Sequence, residues 1–257
     1  MVLLFTSCMW GVPNKLVARV TQDTLAYTYK IIKQRGTDCK NETDSTCTIA
    51  QVKYPVFTSS KTLNDTISRQ LCSTFASEKN DTTLQQLVAG FFKEGNDFRK
   101  DNPANTKVYF SLNLYAKVLR QDSSLTTLEI GGYQFTGGAH GVTYVHFLNW
   151  DSKANKNLKL SDILVDGYES KLTKTAEILF RKEEELSATA SLKDDYFFKD
   201  GKFALNNNYL ITPTGLRFLY NIYEIKLYAA GRTELDIPWF QVKYLLKPNT
   251  IISQYVK

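Results

Sequence analysis

Lys107-Val108-Tyr109-Phe110-Ser111-Leu112-Asn113-Leu114-Tyr115-Ala116-Lys117-Val118-Leu119 is the stretch that decides the fold class. Val108, Phe110, Leu112, Leu114, Ala116 and Val118 fall at every second position. Successive side chains of a strand point to opposite faces, so this alternation describes a strand with one buried face. Residues 125–135 and 141–149 read as two further strands, and the three make an antiparallel meander. Upstream, residues 27–33 and 48–56 are the arms of a hairpin that spans residues 25–57, with Pro55 marking a strand end or an edge. Between hairpin and meander the period changes. Leu63, Ile67, Leu71 and Phe75 lie four apart, which predicts a helix over 62–76. Leu84, Leu87, Val88, Phe91 and Phe92 predict a second over 82–99, ended by Asp101-Asn102-Pro103.

Downstream of the meander, residues 168–187 read as a third helix with Leu172, Ala176, Leu179 and Phe180 inward. Its run Arg181-Lys182-Glu183-Glu184-Glu185 reads as a solvated face. Short strands are expected at 203–205, 209–212 and 216–225, with turn chemistry at Thr212-Pro213-Thr214-Gly215. Leu235-Asp236-Ile237-Pro238-Trp239 reads as a strand entering a final helix over 239–246. The expectation is an α+β fold: antiparallel sheets, about four packed helices, and two interlocked subdomains over residues 25–120 and 121–257.

The 257 residues are 43% hydrophobic and 23% charged, enough for one large domain or two intertwined ones. Beyond the first few positions no run of 18 apolar residues occurs, so no internal membrane-spanning helix is expected. The 32 basic and 26 acidic residues give a net charge of +6, but they are interspersed. Nucleic-acid binding would concentrate basic residues in a run or on one face, so no nucleic-acid partner is expected.

The chain opens Met1-Val2-Leu3-Leu4-Phe5-Thr6-Ser7-Cys8. An apolar run ending in small hydroxylated residues before a cysteine resembles the end of a bacterial lipoprotein signal peptide. The resemblance implies export, a signal remnant over residues 1–8, lipidation of Cys8, and a tether over residues 9–24. A working signal is longer than seven residues, and a start upstream of Met1 would supply the missing length. Met9 after Cys8 implies the outer membrane, facing the periplasm, if the source is Gram-negative. Cys39 and Cys47 flank the wholly polar stretch of residues 40–46 on the two arms of the first hairpin. A bridge across that neck would stabilise the fold by about 2–3 kcal/mol and suits an oxidising compartment. Cys72 falls in an apolar helical setting and reads as a buried small side chain.

Thr136-Gly137-Gly138-Ala139-His140-Gly141 sits between two strands. Further on come Leu160-Ser161-Asp162-Ile163-Leu164, then Leu210-Ile211-Thr212-Pro213-Thr214-Gly215-Leu216. After these come Tyr223-Glu224-Ile225, Tyr228-Ala229-Ala230-Gly231 and Ile237-Pro238. This ordered set, over roughly residues 25–247, resembles the extracellular domain of RsiV-type anti-sigma factors. The same domain precedes the catalytic part of PdaC-type peptidoglycan deacetylases. The resemblance implies an α+β fold on the outer side of the cytoplasmic membrane. In the RsiV type it also implies lysozyme binding, although a charge of +6 would repel a basic lysozyme.

His140 and His146 are the only histidines. Along one strand they would stand about 20 Å apart at ~3.3 Å per residue, too far to share a metal. No clustered His, Cys and carboxylate set offers a zinc site, and no G-x-S-x-G motif accompanies them. No catalytic residue, metal or cofactor is therefore assigned. His140 reads as a tight-turn residue whose ring nitrogens bond loop backbone, with ligand contact as the alternative. Gly137, Gly138 and Gly141 allow positive φ or close backbone approach. The expected function is a non-catalytic, lipid-anchored protein of the bacterial cell envelope that binds a cell-wall glycan or a protein ligand. Peptidoglycan or a lysozyme-like protein would be the partner, and contact with the membrane would be through the lipid anchor only. The alternatives are a lysozyme-binding inhibitor or sensor, and an accessory cell-wall hydrolase or deacetylase.

Overall fold

A computed structural model of the protein describes residues 24–75, 82–103 and 108–256. The expected signal remnant with Cys8, and all of the expected tether but Thr24, lie outside the described residues. The alternating and four-spaced patterns become the expected elements. Strands β1 (Tyr27–Arg35) and β2 (Ile49–Phe57) pair antiparallel. Helices α1 (Lys61–Phe75) and α2 (Leu84–Asp101) follow. Thr83 caps α2 through a reciprocal pair with Gln86, satisfying two backbone donors that the first turn leaves over. Then come β3 (Ser111–Asp122), β4 (Leu125–Phe135), β5 (Val142–Asp151) and the two-residue β6 (Lys156–Asn157).

These six strands form one sheet in the order β1-β2-β3-β4-β5-β6. It is mixed, not purely antiparallel, because β2 and β3 run parallel. The reason is the connection. A hairpin would reverse the chain, whereas the crossover through α1 and α2 returns it to the end where β2 began. The helices cover one face of the sheet. Leu63, Ile67, Leu71, Leu87 and Phe91 meet Val52, Leu112, Leu114, Leu128, Ile130 and Leu148 in a first core.

The chain then forms the short helix α3 (Leu160–Ile163) and the long α4 (Tyr168–Glu183). A second sheet follows, antiparallel, from β7 (Tyr209–Ile211), β8 (Gly215–Tyr220) and β9 (Thr233–Pro238). Helix α5 (Trp239–Val242) continues as a 3-10 turn over Lys243–Leu245. Leu172, Ala176 and Phe180 of α4 pack with Phe218, Leu235, Ile237 and Val242 in a second core. The fold class is α+β.

Three local differences have physical causes. Residues 203–205 join no strand, because the Ala204 carbonyl accepts from the Tyr220 hydroxyl at 2.8 Å instead of from a neighbouring backbone, and β8 stops at Tyr220. α4 ends at Glu183, and Glu185 takes a left-handed φ of 56°. The Arg181–Glu185 run is not simply solvated. Arg181 holds Glu177 through Nε and Nη2 and donates from Nη1 to the Ser187 and Ala190 carbonyls. Glu184 accepts from the Tyr196 hydroxyl at 2.8 Å and the Lys226 ammonium at 2.6 Å. These bonds tie the end of α4 to the segment that follows it and to the connection between β8 and β9.

Candidate functional site

Beyond Trp150 and Asp151, which pair with β6, the outer edge of β5 has no neighbouring strand. Its backbone groups are met instead by asparagine side chains from the second half of the chain. Val145 N donates to Asn221 Oδ1 at 2.7 Å, and Phe147 N donates to Asn208 Oδ1 at 2.9 Å. The Val145 carbonyl accepts from Asn208 Nδ2 at 2.8 Å and from Asn221 Nδ2 at 3.0 Å. The join is reciprocated. Asn149 Nδ2 donates to the Tyr209 carbonyl, and Asn149 Oδ1 accepts from Ile211 N, both at 2.8 Å. Asn149, Asn208 and Asn221 are all buried. The two sheets are therefore stitched edge to edge by amides.

The stitched edge is flanked by two adjoining cavities. One, of about 430 Å³, is lined by His146, Asn157, Tyr168, Asn207 and Tyr209 among others, with Gln70 of α1 at its side. The other, of about 350 Å³, is lined by Tyr144, His146, Asn206, Asn207, Tyr223 and Glu224 among others. His146 and Asn207 belong to both, so the two make one cleft. Burial lowers the His146 pKa by disfavouring the charged ring. Burial also pushes the Tyr209 hydroxyl up, and it donates to the Leu158 carbonyl at 2.8 Å. The Glu224 carboxylate accepts from Asn221 N and Asn206 Nδ2, both at 2.7 Å. Asn207 and Asn157 make no side-chain hydrogen bond among the described residues, and both are exposed. A larger hollow of about 620 Å³ at the β3–β4 turn is lined by residues such as Ser59, Ser123 and Ser152, without a ring to grip a ligand.

The glycine-rich loop rises beside this cleft. Gly137 and Gly138 adopt φ of 95° and 94°, which only glycine takes readily. His140 is exposed, its Nδ1 3.3 Å from the Gly141 carbonyl. Its ring stacks on Tyr228 at 4.5 Å and lies 6.2 Å from Tyr223, a wall residue of the second cavity. Gly141 lies against Tyr133, whose ring a Cβ at that position would strike. The structure thus brings His140 to the cleft rim, while His146 sits within the cleft. Among the described residues no three His, Cys, Asp or Glu side chains are grouped to hold a metal ion.

Cys39 and Cys47 form a disulfide with Cα atoms 4.9 Å apart, and Cys72 is a buried thiol outside it. Arg35 closes the same loop, donating to the Asn41 carbonyl at 3.0 Å and to the Asp44 carbonyl. The asparagine stitch itself escaped the sequence reading. Its one local signal is Asn206-Asn207-Asn208 directly before a strand-like run.

Residues 40–143 match the family described as Deacetylase PdaC, and residues 161–240 match the one described as Protein of unknown function (DUF3298). The chain carries a PdaC/DUF3298-type domain. Two solved structures of DUF3298 family members share its fold. One, from Bacteroides fragilis, is 23% identical, with a TM-score of 0.71 over 91% of this chain and 99% of that one. The other, from Pseudomonas aeruginosa, is 24% identical, with a TM-score of 0.71 over 88% and 96%. Comparison with curated proteins gives no match.

In this PdaC/DUF3298-type domain the two matched segments meet at the cleft. The first ends at Thr143 in β5, just past the loop that carries His140. The second supplies Asn206, Asn207, Asn208, Asn221 and Tyr223. His146, Asn149 and Asn157 lie between them.

Proposed function

We propose that the protein is a non-catalytic cell-envelope lipoprotein that binds a cell-wall glycan in the cleft beside β5. The observation that carries the reading is the lining: amides at Asn157 and Asn207 that make no side-chain hydrogen bond among the described residues, phenol rings at Tyr144, Tyr168 and Tyr223, and the imidazole of His146. A sugar presents hydroxyls that donate and accept, and an amide side chain does both. Its apolar ring faces suit aromatic walls, and the cavities are of ligand size. The one carboxylate in the lining, Glu224, is already occupied by Asn206 and Asn221. That leaves no pair of free carboxylates for acid–base hydrolysis. Export and the anchor at Cys8 rest on the resemblance of residues 1–8 to a lipoprotein signal.

The test is co-sedimentation of the full chain with purified peptidoglycan, beside Asn157→Ala/Asn207→Ala. Each lost hydrogen bond weakens binding by about 0.5–1.5 kcal/mol, so the pair should weaken it roughly five- to 150-fold. The melting temperature should be unchanged. A parent chain that stays in the supernatant, or a double variant that sediments like the parent, would sink the reading. Intact-mass analysis of membrane-extracted protein tests the anchor separately: it should show an acyl addition at Cys8, and a mature form without one would refute the anchor.

A further inference from the structure

Among the described residues, the sheet face opposite α1 and α2 is exposed along β1, at Lys53 of β2, at Asn113 and Lys117 of β3 and at Tyr133 of β4, while Thr127 and Gly131 of β4 are covered. Register and the strand period of two place Tyr29, Ile31 and Lys33 of β1 on that face. They share it with Lys53 of β2, Lys117 of β3 and Tyr133 of β4. Ile31 is 59% exposed, Tyr29 41% and Tyr133 39%, a large apolar contribution for a solvated sheet face. Lys53 holds its ammonium 5.2 Å from the Tyr29 ring centre. Strands β1 and β2 contain Lys30, Lys33, Arg35 and Lys53 and no acidic residue. Glu129 of β4, which register places on this face opposite Lys117, accepts from the Tyr115 hydroxyl at 2.6 Å. Arg232 lies close enough to lower the Tyr115 pKa against the larger effect of burial.

We infer that this face docks on an anionic membrane surface. Lysines flanking exposed tyrosine and isoleucine suit the charged headgroup layer with the apolar zone beneath it. An acidic protein would satisfy the lysines but would leave Ile31 without a reason to be exposed. The location also fits. The chain enters β1 directly from residues 9–26, the segment that would join it to an anchor at Cys8. The inference rests on the lipoprotein reading for this location and stands apart from it in chemistry.

The experiment uses the full, unacylated chain and vesicles of phosphatidylcholine, with and without phosphatidylglycerol. Binding is expected only with the anionic lipid and should weaken as salt rises. Lys33→Ala/Lys53→Ala should bind about thirtyfold more weakly, from about 1 kcal/mol per basic residue at an anionic surface. Ile31→Ser should also bind more weakly. Lys171→Ala/Lys174→Ala, on the exposed side of α4, should bind like the parent. Equal binding to both vesicle types would assign the contact to the apolar residues 1–7 and overturn the proposal. So would parent-like binding by the Lys33/Lys53 pair, or an equal loss in the Lys171/Lys174 pair. If Cys8 proves unacylated while the vesicle selectivity holds, the lipoprotein reading fails and the docking surface stands.

Discussion

Asn208→Ala should be the most damaging small change available between the two sheets. Asn208 is 5% exposed, and its side chain makes two bonds across the join. The two ends differ in consequence. The Val145 carbonyl keeps a partner in Asn221 Nδ2 at 3.0 Å, so it loses only one of two bonds. Phe147 N keeps none from β5's free edge and is left buried. An unsatisfied buried donor costs about 1–3 kcal/mol, and the lost bond to Val145 adds about 0.5–1.5 kcal/mol. A total near 3 kcal/mol corresponds to a fall of about 6–12 °C in melting temperature for a domain of this size. Asn207→Ala, one residue earlier, removes an exposed amide with no partner among the described residues and should stay within about 0.5 kcal/mol. Thermal melts and denaturant midpoints of the two variants form the assay. If Asn208→Ala melts with the parent, or Asn207→Ala falls as far, the amides are not what holds the sheets together.

Cys39→Ser/Cys47→Ser should lose about 2–3 kcal/mol, because the bridge closes a short loop in the unfolded chain; a denaturation midpoint equal to the oxidised parent would refute it. Gly132→Ala should destabilise by about 1–3 kcal/mol through overpacking, since its Cβ would lie 2.5 Å from the Asn113 carbonyl oxygen and 2.9 Å from Leu114 Cα; a parent-like melt would show that β3 and β4 can separate freely there. His140→Ala should cost no more than about 1 kcal/mol, because the ring is exposed and stacked on Tyr228; a fall of many degrees in the melt would show that the ring holds the loop together. The lowered pKa of His146 means that the unfolded chain takes up its proton first as pH falls. The stability it contributes is whole above the ordinary imidazole value and is lost as pH drops toward the depressed folded value, so His146→Gln should flatten the melting temperature across that window; an unchanged slope would assign it to other groups.

What was legible in the residues is what depends on near neighbours. Leu112, Leu114 and Ala116 alternate because β3 has one face under the helices, and Leu63, Ile67 and Leu71 repeat because α1 lies on that sheet. Cys39 and Cys47 could be paired because both sit at the neck of one hairpin. The illegible features are bonds between distant residues. The parallel pairing of β2 with β3 depends on where the chain lands after a helical crossover, and the strand period does not encode it. Asn221 reaches Val145 across 76 residues and Asn208 reaches Phe147 across 61. Asparagine is also a common turn residue, so Asn206-Asn207-Asn208 looks like loop chemistry until the edge it serves is in view. Glu184 was hidden in the same way, since a carboxylate at a helix end reads as solvated when its Lys226 partner is 42 residues on.

The cleft follows from how β5's edge is closed. A free edge invites pairing with another chain, and proteins cover or block it. Direct pairing with β7 would bring the strands to about 4.8 Å and leave no room between them. Here Asn149, Asn208 and Asn221 stand in for the ladder, and a side chain between two backbones holds them further apart than a direct bond would. The separation leaves space beside the stitch, and residues at the join line it: His146 from β5 and Asn207 from the approach to β7. The same amides that satisfy the edge therefore hold open a polar cavity with aromatic walls. A chain that replaced them with a continuous ladder would be a tighter sheet without a cleft. The position of the candidate site is thus set by the join between the two sheets, and the glycine-rich loop, with His140 against Tyr228, sits at its rim.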